Sequence, residues 1–179
     1  MTHEFPMTTF HRKNDLYLSP YIPEIDYPYE GLPENVHSCG PIILPPIPVS
    51  ETDPDLDQWL RSGPPAVLIN LGTLFNSNVE FARELAKGIK TLLDSNTNVR
   101  VLWKLKYTWE VDLEFLAMMK PYLEADRLRI KNWLIPEPSA ILETGRIVCS
   151  VHHGGANSFY EACKFVNPPP YNFPLNANS

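Results

Sequence analysis

The sequence predicts an α/β protein, with a parallel β-sheet and helices on its faces. Over residues 66–165, four apolar runs of strand length alternate with four segments of helical periodicity. Strands buried on both faces have such continuous apolar runs, and strands that alternate with helices usually pair in parallel. The flanks, 1–65 and 166–179, are rich in proline, which excludes long regular elements. We therefore predict an extended joining segment over 1–65, one α/β domain over 66–165 and an irregular tail over 166–179.

Two short elements are predicted within the proline-rich joining segment. Residues 36–39 have the composition of a short strand. Residues 53–60 read as a capped helix, because Asp53 is a favourable N-cap and Pro54 suits the first helical position. Its apolar residues fall on one helical face: Leu56, Trp59 and Leu60.

In the predicted domain, each strand ends at a turn and is followed by a helix. The predicted strands are 66–72, 99–105, 128–130 and 147–151, and the predicted helices are 79–94, 113–124, a short one ending at 142 and one starting near 157. In the second helix we expect Leu113, Leu116 and Ala117 to face inward, with Met119 and Leu123 as further candidates, and Pro121 to distort or split the helix. In parallel sheets ligands bind outside the carboxyl ends of the strands, so the loops 72–77, 132–139 and 152–157 are candidates.

Composition and charge narrow the classes of partner. The net charge of −6 argues against a large nucleic-acid surface, since such surfaces are basic. No apolar run approaches the length of a transmembrane helix, and no signal peptide is evident at the N-terminus, so we expect a cytoplasmic protein. The three cysteines have neither disulfide nor zinc spacing, and we expect buried, reduced thiols and no metal.

The most informative stretch of the sequence runs from Arg146 to Glu161. Its strand ends at His152-His153-Gly154-Gly155, and a helix follows. Unpaired N–H groups at the positive end of a helix dipole bind anions, and a histidine beside them can donate to a phosphate oxygen. The alternative is a tight turn with an exposed histidine. We expect His152, one residue earlier, to be packed or exposed more readily than to contact a ligand.

Several further residues have two interpretations on spacing alone. Glu161 could accept hydrogen bonds from ribose hydroxyls, or could be an ordinary first-turn glutamate. Trp133 could stack on a flat base, although most tryptophans lie in the core. Gly72-Thr73 resembles a phosphate or sugar loop without forming a dinucleotide fingerprint.

These residues together resemble the donor-binding signature of family 1 UDP-glycosyltransferases. The resemblance rests on Trp133, Pro136-Glu137 and Leu142, on the run from His153 through Gly155, Asn157 and Ser158 to Glu161, and on the upstream Leu-Ile-Asn-Leu-Gly-Thr. It is closest to fungal or microbial members and implies the C-terminal, Rossmann-like half of a GT-B enzyme, incomplete here. Such enzymes transfer a hexose from a UDP-sugar to a small lipophilic acceptor with inversion, and the resemblance implies no other cofactor.

The resemblance also implies roles for individual residues. Trp133 would stack on uracil, His153 would contact the diphosphate, and Glu161 would hold the ribose hydroxyls. The residues implied near the phosphates are Gly155, Asn157, Ser158, Gly72 and Thr73. Ala156 stands where plant members have tryptophan, so the resemblance does not indicate the donor sugar.

The sequence departs from the family pattern at both ends. The acceptor-binding N-terminal half, which holds the general base, has no counterpart, and Val166-Asn167-Pro168 replaces the family's next turn and strand. We therefore expect a fragment that transfers sugar slowly or not at all by itself. The alternatives are a non-catalytic UDP-sugar-binding subunit of a split enzyme and a non-functional fragment with an unpaired sheet edge.

Overall fold

The computed structural model describes residues 15–20, 22, 33–108, 110 and 112–165. The chain divides into two compact units, Met1–Leu44 and Pro45–Ser179. In the first unit, β1 (Tyr17–Ser19) pairs in parallel with β2 (Val36–Ser38), at the position of the short strand predicted from the sequence. The predicted tail over 166–179 lies outside the described residues.

The second unit contains the predicted alternation of strands and helices. It also includes two helices within residues that the sequence analysis assigned to the joining segment. Only the second was predicted, and Asp53 caps it by accepting from the Leu56 N–H at 3.0 Å. The elements are α1 (Val49–Thr52), α2 (Pro54–Ser62), β3 (Ala66–Asn70), α3 (Val79–Ser95), β4 (Arg100–Lys104), α4 (Leu113–Glu124), β5 (Leu128–Lys131), α5 (Pro138–Glu143), β6 (Ile147–His152) and α6 (Ala156–Phe165).

The four strands β3 to β6 form one parallel sheet in the order β5-β4-β3-β6. The predicted fold class, α/β with a parallel sheet and flanking helices, is therefore confirmed. The chain runs outward from β3 to β4 and β5, and then crosses back to place β6 on the other side of β3. Such a reversal opens a crevice at the carboxyl ends of the two strands, which is where open α/β sheets bind ligands.

Two apolar layers cover the faces of the sheet. The first packs α3 and α4 against the sheet, with Ala82, Ala86, Ile89, Leu93, Phe115 and Met119 on Val67, Val101 and Trp103. The second packs α1, α2 and α5 against the opposite face, with Val49, Leu56, Trp59, Leu60 and Ile141 on Leu68 and Leu102. Residues of opposite faces alternate along β3 and β4, as the two-residue period of a strand requires. The packed sheet and helices hold the loops at the carboxyl edge.

The structure corrects the inward face predicted for α4. Leu113, Leu116, Leu123 and the side chain of Ala117 are exposed, whereas Met119, one of the further candidates, is buried together with Phe115 and Tyr122. Each set satisfies helical spacing, and the bulkier aromatic set fills the space beside Trp103. The helix is not split at Pro121, since α4 runs unbroken from Leu113 to Glu124 with this proline in its last turn.

The expectation of buried thiols was wrong. Cys39, Cys149 and Cys163 are all exposed and unbridged. On β6 the cause is the position of the strand: within the described residues it pairs only with β3, and Val148 and Val151 are exposed as well. The described residues include no helix long and apolar enough to cross a membrane.

The face of α4 can be tested by truncating one residue from each set. Met119 is fully buried, so Met119→Ala should lower the free energy of unfolding by about 2–5 kcal/mol, the range for large-to-small core substitutions. Leu116→Ala, on the same helix but 41% exposed, should cost less than about 1 kcal/mol. Urea titration of both variants measures the difference, and an equal loss would contradict the observed packing.

Candidate functional site

A cavity of about 810 Å³ opens at the carboxyl edge of the sheet. Its lining comes from the last residues of β3 and β4, the loops that follow β3, β5 and β6, and the start of α6. The lining residues are Asn70, Leu71, Gly72, Thr73, Leu74, Phe75, Lys104, Trp133, Leu134, Ile135, Pro136, Glu137, Pro138, His153, Gly155, Ala156, Asn157, Ser158 and Glu161. The cavity therefore occupies the crevice that the strand order creates between β3 and β6.

The fold brings all eight residues that the sequence singled out to this cavity: Gly72, Thr73, Trp133, His153, Gly155, Asn157, Ser158 and Glu161. His152 is not among the lining residues. Its Nδ1 accepts a hydrogen bond from the Gly154 N–H at 3.2 Å, and its ring lies 6.5 Å from that of Phe159. The packed interpretation of His152 is the one that the structure adopts.

The His153 imidazole packs across two glycines from different loops. A Cβ built on Gly155 would overlap Nε2 of the imidazole, and one built on Gly72 would lie 3.0 Å from its Cε1. Gly72 also has a φ of +92°, a conformation that other residues rarely adopt. Both glycines therefore make room for His153 and fix where its ring lies, a role that the sequence analysis did not assign to them.

The loop after β3 is held by side chains from the ends of two strands. Asn70, the last residue of β3, accepts the Gly72 N–H at 3.2 Å on its side-chain oxygen. Lys106, just beyond β4, donates from Nζ to the Thr73 carbonyl at 3.1 Å. These contacts hold Gly72 against the His153 ring without closing the cavity.

Trp133 stands at the rim of the cavity with an exposed ring. The residue is 56% exposed, and the Lys104 ammonium lies 4.1 Å from the ring centroid, a cation–π geometry. Lys104 itself is only 8% exposed, and burial, with a smaller contribution from Lys106, lowers the pKa of its ammonium. An indole with this much accessible surface is available to a flat ligand, whereas a core tryptophan is not.

Glu161 lies on α6, half-buried in the cavity wall. Burial, and secondly the neighbouring charge of Glu137, raises the pKa of the Glu161 carboxyl. An ionised carboxylate in this position gains from hydroxyl donors that replace its lost water. Ligand hydroxyl groups in the cavity would supply such donors.

The first turn of α6 presents backbone donors to the same space. The Phe159 N–H bonds to the Gly155 carbonyl at 3.0 Å and is the first of the helix to do so. The N–H groups of the preceding residues therefore have no acceptor within the helix. Asn157 and Ser158 line the cavity at this end, so an anion bound there would meet N–H dipoles together with an amide and a hydroxyl.

The sequence analysis missed two polar residues of the site, Asn70 and Lys104. Each is the last residue of a strand whose other members are largely apolar, and each is less than 10% exposed. A polar residue at the carboxyl end of a buried parallel strand is the signal that could have identified them. Within the part of the chain that the structure describes, no cluster of three metal-ligating side chains occurs.

Comparison with known proteins gives relatives for most of the chain. No family model matches the chain. The glycosyltransferase sdnJ of Sordaria araneosa is 44% identical over 151 residues, which cover 81% of this chain and 29% of that protein. This part of the chain belongs to the UDP-glycosyltransferase family. The chain thus spans about three tenths of the length of this relative.

Solved structures of UDP-glycosyltransferases share the fold. A UGT from Siraitia grosvenorii in complex with UDP matches with a TM-score of 0.55 at 21% identity, covering 73% of this chain and 30% of that one. UGT71G1 of Medicago truncatula, complexed with UDP-glucose, matches with a TM-score of 0.52 at 25% identity, covering 73% of this chain and 28% of that one. The parallel sheet and its helices are therefore those of a UDP-glycosyltransferase domain.

The packing of His153 against Gly155 can be tested by adding a methyl group. Gly155→Ala should displace the imidazole, because the added Cβ has no room beside Nε2. In NMR spectra, we expect the nuclear Overhauser contact between the His153 ring and Gly72 to be lost. Gly88→Ala is the matched control, since nothing lies within 4 Å of a Cβ on Gly88. An unchanged His153–Gly72 contact in Gly155→Ala would contradict the packing.

The raised pKa of Glu161 predicts a stability gain on removing its charge. The ionised carboxylate destabilises the folded chain, and this penalty disappears as the pH falls through the raised pKa and the group is protonated. Glu161→Gln should therefore raise Tm by about 1–3 °C at neutral pH and by less in acid. Thermal melts at both pH values measure the gain, with Glu143→Gln, at an exposed glutamate of α5, as control. A lower Tm for Glu161→Gln at neutral pH would contradict the prediction that the charge of Glu161 destabilises the folded chain.

Proposed function

We propose that the cavity binds the UDP part of a UDP-sugar. We further propose that the chain is the donor-binding portion of an enzyme that transfers a hexose, with inversion, to a small lipophilic acceptor. One observation carries the first proposal: His153 and the α6 N-terminus meet an exposed indole and a half-buried carboxyl in a single cavity. A phosphate, a flat base and a diol are the three chemical parts of a nucleotide, and each has a matching group there.

The diphosphate occupies the end of the cavity beside α6. The imidazole of His153 donates a hydrogen bond to a phosphate oxygen. The N–H groups of the first turn of α6, with Asn157 and Ser158, add donors and a positive dipole end. The Gly72-Thr73 loop approaches from β3 on the other side. The packing between Gly72 and Gly155 fixes the imidazole before the ligand arrives, so little ordering is needed on binding.

The nucleoside occupies the part of the cavity between Glu161 and Trp133. Uracil stacks on Trp133, whose ring is accessible at the rim. The ribose hydroxyls donate to Glu161, and this compensates for the water that the carboxylate has lost. A cavity of about 810 Å³ is in the range of small-molecule sites, about 300–1,000 Å³.

The transfer reaction is supported by the relatives. The 44% identical protein is a glycosyltransferase, and related structures hold UDP or UDP-glucose. Because the chain spans only 29% of that relative, we propose that the acceptor site and the general base come from protein outside these residues. Orientation of acceptor against donor supplies much of the rate of such a reaction, so these residues alone would bind the donor without efficient transfer.

Calorimetric titration with UDP and with uridine tests whether the diphosphate contacts His153 and the base contacts Trp133. His153→Ala should weaken UDP by about tenfold to a hundredfold, because a charge-assisted hydrogen bond is lost, and should leave uridine nearly unchanged. Trp133→Ala should weaken both ligands by about tenfold, since each contains the base.

His37→Ala serves as the control, because His37 is exposed on β2 and lines no part of the cavity. Absence of UDP binding to the wild-type chain would refute the proposed function. An equal loss of UDP and uridine in His153→Ala would refute the placement of the diphosphate.

A further inference from the structure

Lys104 is a buried lysine that the roles proposed above leave without a function. It is the last residue of β4 and is 8% exposed. The alternation of the strand places it on the same face as Leu102, which packs in the apolar layer with Leu134 and Ile141. Lysine is rarely buried unless it is paired. Its position at the top of an apolar layer therefore requires a compensating contact.

The compensating contact is the indole of Trp133. The Lys104 ammonium lies 4.1 Å from the ring centroid. Among the described residues, it forms no hydrogen bond and has no carboxylate within ion-pair distance. A desolvated cation over an aromatic face is attracted more strongly than an exposed one. Burial also lowers the pKa of the ammonium.

We propose that Lys104 is a positioning residue that holds the Trp133 ring by one face and leaves the other face for the nucleobase. The inference rests on the proposed function, in which Trp133 stacks on uracil. Trp133 lies in a loop between β5 and α5, where no regular element fixes the ring. Lys104, by contrast, is anchored in the centre of the sheet between β3 and β5. The cation–π contact thus transfers the rigidity of the strand to the loop.

Because Lys104 also lines the cavity, direct contact with the ligand is the alternative role, and the exposed areas of the two side chains favour the indirect one. Only 8% of Lys104 is accessible, compared with 56% of Trp133. With one indole face against the ammonium, the accessible surface belongs largely to the opposite face and the ring edge. A base that stacks on that opposite face is separated from Lys104 by the ring itself.

A double-mutant cycle distinguishes an indirect role from a direct one. The proteins are the wild type, Lys104→Met, Trp133→Leu and the double variant, and the ligands are UDP and uridine. Lys104→Met keeps the length of the side chain and removes its charge. We expect it to weaken both ligands by the same factor, about fivefold to tenfold, and to have no further effect when Trp133 is already leucine. Lys131→Met, an exposed lysine at the end of β5, is the matched control.

Three results would overturn the proposal. A loss confined to UDP would mean that the ammonium pairs with a phosphate. A loss that persists in the Trp133→Leu background would mean direct contact with the ligand. Unchanged affinities in Lys104→Met would mean that the ring needs no support.

Fluorescence of the ligand-free proteins separates failure of this proposal from failure of the proposed function. The emission of Trp133 is obtained by subtracting the spectrum of Trp133→Phe from that of the wild type, and likewise in the Lys104→Met background. We expect a lower anisotropy of Trp133 in Lys104→Met, because the ring gains freedom. If the wild-type chain binds no UDP but Lys104→Met still lowers the anisotropy of Trp133, the positioning role of Lys104 stands and the UDP site is refuted. An unchanged anisotropy would refute the positioning role itself.

Discussion

The site depends on the parallel pairing of β3 with β6. In this register Asn70 lies opposite His152, so the chain leaves both strands at the same height. Gly72 and His153 follow at once and meet across the gap between the strands. Because β4 lies on the other side of β3, the loop after β3 turns away from β6 and the gap stays open. If β6 paired elsewhere in the sheet, the imidazole would have no wall and the α6 N-terminus would face another edge.

The charged groups around this gap, Lys104 and Glu161, lower the stability of the folded chain. Burial disfavours the charge on Lys104 and on Glu161, and it shifts their pKa values in opposite directions. Each group has lost water without gaining a partner of opposite charge. For Lys104 the indole supplies part of the compensation, whereas Glu161 has Glu137 as a neighbour, which adds repulsion. Charged groups left in this condition are typical of places that a ligand completes.

Much of this architecture could be predicted from the sequence, because strand and helix periodicities are local signals. The bounds of α4 were predicted correctly. For the other elements of the sheet domain, most predicted ends lie one or two residues from the observed ends. The inward face of α4 was predicted correctly only at Met119, since two interleaved sets of apolar residues satisfy the helical period and packing against Trp103 selects the set that contains Phe115. The exposure of Cys149 was missed for a related reason: a strand sequence does not reveal that its strand lies at an edge.

The residues of the site also divide into those that a local sequence pattern predicts and those whose role depends on distant residues. His153 and Glu161 could be selected because a strand-to-helix turn with glycines is a local pattern. The functions of Gly72 and Gly155 could not, because each depends on where an imidazole from another part of the chain lies. The sequence suggested that the glycines let a ligand approach the backbone; in the structure, His153 occupies the space beside them. In the proposed site an anion would therefore meet the imidazole edge first, and the glycines would act on the ligand through the position of that ring.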